Sequence, residues 1–231
     1  MMRILAVGAH PDDVEFGCAP LLIEEARRGH QVRIVVASKG EAASSGTPEQ
    51  RADEAREAAR VMGVSIGFLE MGGDCHIQHS PSNALVLARE IREFRPDVIL
   101  APHPAENQHP DHAAVGKLSR DAARLSRYGG LMDLRELPPH PIASLYFYAI
   151  TQVFVDPPQI IVDVSRAAEV WQAAIQCHKS QMKTRAYPEL VTARGRAWGA
   201  SIGVEYATAL WTNDPVRIDS LADLGLSSRY F

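Results

Sequence analysis

Residues 4–17 read Ile4-Leu5-Ala6-Val7-Gly8-Ala9-His10-Pro11-Asp12-Asp13-Val14-Glu15-Phe16-Gly17. Four apolar residues end at a glycine, and a histidine–aspartate cluster follows at once. A short, unbroken apolar run of this kind is the pattern of a strand buried on both faces of a parallel sheet. A second such run, Val32 to Ala37, lies downstream, and between the two come Leu21, Leu22, Glu24, Glu25, Arg27 and Arg28, stopped at Gly29. That segment predicts an amphipathic helix, so the chain opens with a strand–helix–strand unit.

The alternation continues. Thr47-Pro48-Glu49-Gln50 has the form of a capping box with proline at the first helical position, and a helix is expected through Ala52, Ala55, Ala58, Ala59 and Met62 to Gly63. Ser65 to Leu69 read as a strand. Leu87, Ile91 and Phe94 mark the inner face of a helix ended before Pro96, Val98 to Ala101 form the next strand, and Pro110 or Asp111 opens a helix through Val115 and Leu118. Strands alternating with helices predict an α/β fold with a doubly wound sheet. Beyond Tyr128 the pattern loosens. Gly129-Gly130 and Leu137 to Pro141 are loop material, Leu145 to Ile150 and Gln159 to Val164 are strand candidates, Ser165 is the expected cap of a helix through Trp171 and Ile175, and Pro188 to Ala200 read as another helix. No repeat or linker divides the chain, so one domain over residues 1–231 is expected, with its C-terminal part as elaboration.

Composition narrows the function. Hydrophobic residues make up 46% and charged residues 23% of the 231, a globular balance. The net charge of -4 leaves no electrostatic footprint for nucleic acid. Cys18, Cys75 and Cys177 lack paired spacing, which argues for a reducing compartment. No apolar run approaches the ~20 residues that span a bilayer, and Met1-Met2-Arg3-Ile4 leads directly into a strand. A cytoplasmic protein is expected, with neither nucleic acid nor membrane as partner. Gly8 and Gly17 do not make the glycine fingerprint of a dinucleotide site.

A second cluster, His109-Pro110-Asp111-His112, follows the strand Val98 to Ala101. In the usual doubly wound order the first and fourth strands lie side by side, and ligands bind beyond their carboxyl ends. The two clusters are therefore expected in one crevice. His10, Asp13 and His112 would give a metal two nitrogens and one oxygen with a position left for water, the ligand pattern of catalytic zinc, which also suits ferrous iron. Asp12 beside that water is the candidate general base. His109 is placed to polarise a carbonyl, to stabilise an oxyanion or to protonate a departing amine, and Asp111 to orient an imidazole. The plainer alternatives are that Asp12 or Asp13 caps a helix and that His109 and His112 are surface residues at a helix start.

AHPDDVEFG and HPDHAAVG resemble the two signature motifs of the PIG-L/LmbE-like deacetylases, a family that includes the sugar deacetylases of bacillithiol and mycothiol biosynthesis and the enzyme acting on N-acetylglucosaminyl-phosphatidylinositol. The likeness extends through Gly40-Glu41, Gly46-Thr47-Pro48-Glu49 and Arg51, then His178-Lys179-Ser180-Gln181 and Gly203-Val204-Glu205-Tyr206-Ala207. It covers nearly the whole chain and looks closest to the bacillithiol branch. The resemblance implies a Rossmann-like three-layer fold with a mostly parallel sheet. It also implies zinc on His10, Asp13 and His112, Asp12 as base, His109 acting on the amide, and removal of acetyl from an N-acetylglucosamine conjugate.

Arg51 would reach the sugar, and Asp74, in Gly72-Gly73-Asp74, a sugar hydroxyl. Where mycothiol-type relatives carry a tyrosine, this chain has Glu106-Asn107-Gln108, and Tyr206 is the candidate substitute. His76, His79 and His103 are expected on loops above the same sheet edge, where solvation, pocket lining and a second metal are the alternatives. His178 is the helix residue that the family's motif brings towards the site. Cys75 lies near the pocket with no identifiable activating partner. The resemblance and the aromatic-rich tail imply a homo-oligomer, of which a hexamer is one form. Beside the sugar N-deacetylase stand two further functions: an amidase of the same site type on another acyl amide or thiol–sugar conjugate, and a non-catalytic α/β protein with a structural metal or none. Three ligands rather than four disfavour the last.

Overall fold

The first strand of the chain, β1 (Arg3–Gly8), lies inside the sheet with a neighbour on either side, and its alternating side chains feed two separate cores. The computed structural model describes residues 1–105, 108–151, 156–183, 186–223 and 225. After β1 come α1 (Asp13–Gly17), α2 (Ala19–Arg27), β2 (Gln31–Val36), α3 (Pro48–Met62), β3 (Ser65–Phe68), α4 (Pro81–Phe94), β4 (Val98–Pro102) and α5 (Pro110–Ser126). Then follow β5 (Ser144–Tyr148), β6 (Ile160–Asp163), α6 (Ala168–Gln176), α7 (Tyr187–Ile202) and β7 (Ala207–Thr212).

The strands form one seven-stranded sheet in the order β3-β2-β1-β4-β5-β7-β6. β1 pairs in parallel with β2 on one side and with β4 on the other, so the winding reverses between β1 and β4. This is the doubly wound sheet expected from the alternation, in the Rossmann-like, mostly parallel form that the resemblance implies. Ile4 and Ala6 pack into the core shared with α2, α6 and Trp171, while Leu5 and Val7 pack into the core shared with α4 and α5. Burial on both faces is the reason these strands read as unbroken apolar runs.

Local signals are obeyed with two corrections. The Thr47 side chain accepts from the Gln50 amide at 3.2 Å, Pro48 opens α3, and Gly63 ends it with φ 74°. Only half of the capping box forms, because the Gln50 side chain donates to Glu54 instead of reaching back. Ser165 does not cap α6. It begins a 3-10 turn (Ser165–Ala167), and Asp163 Oδ1 accepts its amide at 3.0 Å and its hydroxyl at 2.7 Å. β7 is absent from the sequence expectation; it inserts between β5 and β6, antiparallel to both, and five of its six residues are buried. Among the described residues no helix is long and apolar enough to cross a membrane.

α5 is held unusually close to the end of β4, and this closeness carries the second cluster to the sheet edge. A Cβ at Gly116 would lie 2.4 Å from the Pro102 carbonyl oxygen and 3.0 Å from Pro104 Cα, both of them backbone atoms. Gly116→Ala is expected to destabilise the protein by about 1–3 kcal/mol, read as a lowered urea midpoint. A rise in stability, as helix propensity alone would give, would contradict the packing assigned here.

Candidate metal centre and active site

At the carboxyl end of β1 the chain turns a strained corner. Asp12 sits at φ 107°, ψ −24°, a left-handed conformation that a residue with a Cβ seldom adopts. Its side chain makes no capping bond to α1. Asp13 does not cap either: its Oδ2 folds back to accept the amides of Ala9 at 2.9 Å and His10 at 2.8 Å. The capping alternative is thereby set aside for both carboxylates. Asp13 Oδ1 faces His112 Nε2, 3.1 Å away.

The second cluster arrives on the first turn of α5. His109 is the N-cap residue, and its Nδ1 accepts from the Asp111 amide at 3.3 Å, which puts the proton of a neutral ring on Nε2. His112 is buried one turn further on. The two clusters meet, as β1 and β4 being neighbours requires. His10 Nδ1 lies 3.2 Å from His112 Nε2 and 3.6 Å from Asp13 Oδ2. Donors bonded to one tetrahedral zinc ion at their usual bond lengths stand about 3.3 Å apart, so two imidazole nitrogens and a carboxylate fit such an ion. His10 Nε2 faces outward to Asp74 Oδ1 at 3.1 Å and Asp111 Oδ2 at 3.3 Å. Those carboxylates fix the ring proton on Nε2 and leave the Nδ1 lone pair pointing inward, the arrangement typical of metal-ligating histidine. Of the two imidazoles of the inner group, the one that Asp111 Oδ2 meets is His10. His112 Nδ1 is buried with no hydrogen-bond partner among the described residues.

The electrostatics favour a cation here. Burial works to lower the His10 pKa, yet the hydrogen bonds to Asp111, Asp13 and Asp74 hold it well above the ordinary value. Burial likewise raises Asp13, but the charge of His112 and the bonds from both imidazoles keep it well below the usual carboxylate range. Asp74 is lowered, chiefly by its bond with His10. Asp12 goes the other way: burial pushes it up to about 6 against the opposing charge of Arg51. Burial and the repulsion of His10 lower His109, so its ring is neutral and a donor through Nε2.

Several expected substrate contacts have other engagements. Arg51 lines the cavity, but its Nη2 donates to the Pro11 carbonyl at 3.0 Å and approaches Asp12 Oδ2 at 3.4 Å, while Nη1 reaches the Gly40 carbonyl at 3.4 Å. It clamps the strained corner. Gly40 has φ 73°, and a Cβ there would overlap the guanidinium. Asp74 also lines the cavity, with its Oδ1 on His10 and its amide held by Glu41 Oε2 at 2.8 Å.

Tyr206 is a correction. It is buried away from the cavity lining, its ring edge-on to Trp171 and its hydroxyl accepting from Arg196 Nε at 3.0 Å. The tyrosine that does line the cavity is Tyr187, stacked on Phe16 at 5.1 Å, and no sequence motif singled it out. Residues 106 and 107 lie outside the described residues, whereas Gln108 lines the cavity.

His178 packs beneath the site, not in it. It is buried against Phe16 with Nε2 3.4 Å from Glu15 Oε1, and although burial works to lower its pKa, the Glu15 charge raises it on balance. Its neighbours explain the rest of that motif: Ser180 binds Glu54 through its amide and hydroxyl, and Gln181 donates to the Ser45 carbonyl at 2.9 Å. They fasten the 44–46 loop that walls the cavity. Among the loop histidines, His79 pairs with Asp121, His103 lies edge-on to Phe147 and Trp211, and His76 bonds the Asp74 carbonyl. Cys75 has an unforeseen neighbour. At φ 65° it donates its amide to Asp111 Oδ2 at 2.8 Å, and its thiol lies 3.6 Å from His109 Nε2.

The resulting cavity is about 360 Å³. His10, Asp12, Asp13, His109 and His112 line one part, Ser44, Ser45, Thr151 and Gln181 supply hydrogen-bonding groups, and Phe16 and Tyr187 an aromatic wall.

Comparison with known proteins gives the family and the fold. The family model of the GlcNAc-PI de-N-acetylases (PIG-L) matches residues 5–123. The chain is 27% identical over 195 residues to the diacetylchitobiose deacetylase of Thermococcus kodakarensis, covering 78% of this chain and 70% of that one. The crystal structure of the conserved protein TT1542 from Thermus thermophilus superposes with a TM-score of 0.84 at 32% identity, over 94% of this chain and 97% of the other. The fold is shared more widely: the hydratase GalB of Pseudomonas putida superposes with a TM-score of 0.81 at 21% identity, over 96% of this chain and all 100% of its own.

After dialysis against metal-free buffer the purified protein is expected to retain about one divalent ion per chain, measured by elemental analysis. His112→Ala should lose that ion. Stoichiometric metal in this variant would disprove the ligand set.

Proposed function

The chain belongs to the PIG-L family, and from that premise we propose that it is a zinc-dependent N-deacetylase that removes the acetyl group from an N-acetylglucosamine conjugate. The observation that carries this reading is the convergence of His10 Nδ1, His112 Nε2 and Asp13 on one point, with Asp12 and His109 at its edge. Zinc, or ferrous iron in its place, supplies there a Lewis acid and a lowered pKa for water.

The chain's own residues do the remainder. Asp12, held by Arg51 and raised by burial to about 6, accepts a proton from the attacking water near neutral pH. His109, neutral with its hydrogen on Nε2, donates to the oxygen of the amide as negative charge develops there. Of the roles open to His109, the Asp111 amide on Nδ1 favours this one over proton donation. Asp12 then returns its proton to the departing amine, so both products leave with their atoms in balance. Asp74 and Asp111 keep His10 oriented. Hydroxyl and amide groups of Ser44, Ser45, Thr151 and Gln181 suit the hydroxyls of a sugar, and Phe16 with Tyr187 its apolar face.

We place the reaction in a single domain spanning residues 1–231, in the cytoplasm, acting on a small-molecule amino-sugar conjugate and not on nucleic acid or membrane, in a homo-oligomer such as a hexamer. An amidase acting on a larger acyl group is the second reading. A structural metal is disfavoured by three protein donors opening on a cavity.

Asp12→Asn should keep its metal and lose at least ~100-fold in kcat, as a lost general base would. Full activity would remove Asp12 from the mechanism. Acetate release from N-acetylglucosaminyl malate, N-acetylglucosaminyl inositol and diacetylchitobiose, with and without zinc, tests the substrate class. Release from none of the three would contradict it.

A further inference from the structure

The rim of the cavity carries a second set of donors, in which two groups of the proposed reaction, His109 and Asp74, meet a thiol that the reaction does not use, Cys75. Cys75 Sγ lies 3.5 Å from Asp74 Oδ1 and 3.6 Å from His109 Nε2, and the latter two are 3.8 Å apart. Sulfur, nitrogen and oxygen donors on one four-coordinate zinc ion stand about 3.3–3.6 Å from one another, so these three atoms are near the spacing that a shared ion requires. Asp74, His109, Asp111 and the outer nitrogen of His10 already form a group close enough to share a cation. The thiol sits at the open edge of that group, carried by a backbone in the left-handed region and fixed through its amide to Asp111. A thiolate and an imidazole select zinc, cadmium or cobalt over magnesium and calcium.

We propose that Cys75, His109 and Asp74 form a second binding site for a thiophilic divalent cation, adjacent to the first, and that its occupation inhibits the enzyme. Binding releases the thiol proton to solvent. It also takes the Nε2 lone pair of His109, so the ring proton moves to Nδ1, gives up the bond from the Asp111 amide and faces the Asp111 carboxylate, 3.8 Å away. A ring in that state has no hydrogen left for the reacting amide. Asp111 Oδ2 still holds His10 Nε2 at 3.3 Å, so the first site keeps its orientation. The inhibition rests on the deacetylase reading; the site itself does not.

The test separates the two. Metal-free protein is titrated with Co2+ and followed by near-ultraviolet absorbance, where a cobalt–thiolate bond gives a charge-transfer band and nitrogen or oxygen ligands alone do not. Wild-type protein should take up two ions per chain and develop the band. Cys75→Ser should take up one and show none, while Cys177→Ser behaves as wild type. Deacetylation should rise with the first zinc equivalent and fall with excess, and Cys75→Ser should move the midpoint of that fall upward at least tenfold. A single ion per chain in the wild type, or a band that survives Cys75→Ser, overturns the second site. A band without any deacetylation supports the site and overturns the reading of the reaction instead.

Discussion

The imidazole of His10 is gripped at both nitrogens, and the site is arranged around that grip. Asp74 and Asp111 hold Nε2 on the outside, and Asp13 and His112 face Nδ1 on the inside. Asp111 and His112 belong to a segment about a hundred residues away and meet His10 because β1 and β4 are hydrogen-bonded neighbours. The reversal of winding between those strands is what turns two short motifs into one centre. Gly116 lets α5 approach the end of β4 closely enough for the motif on its first turn to reach.

Two adjacent carboxylates, Asp12 and Asp13, end with opposite properties, and the backbone is the cause. The left-handed turn at Asp12 sends the side chains apart. Asp13 folds onto two amides and two imidazoles and stays ionised, whereas Asp12 is buried beside a single guanidinium and rises towards neutrality. In the proposed reaction the first holds the cation and the second carries the proton. The strain that separates them is borne by Arg51, which ties Pro11, Asp12 and Gly40 together.

What the sequence revealed follows the range of the interactions involved. The meeting of His10, Asp13 and His112 was legible because strand-end placement is a topological matter, and the apolar runs mark β1 and β4. Thr47 and Gly63 were legible as helix ends because caps are local. Tyr206 was misplaced because a motif does not reveal which side of the sheet its residues face. Here Arg196 and Trp171 draw it into the core, and the strand it leads into, β7, pairs with two distant partners. The clamp role of Arg51 depends on Gly40 and Pro11, far from it in sequence. The tautomer of His109 depends on one amide of α5, and the Cys75–His109 approach on a loop turn that no residue pattern announces.

The proposed chemistry depends on three side chains sharing one ion while Asp12 stays free of it. A zinc-edge anomalous difference map from crystals of the protein carrying one equivalent of zinc measures this directly. The expected result is one peak within about 2.0–2.2 Å of His10 Nδ1, His112 Nε2 and an oxygen of Asp13, with the Asp12 carboxylate unbonded and solvent completing the shell. A peak bonded to Asp12 as a fourth protein ligand, or lying away from His112, would contradict it.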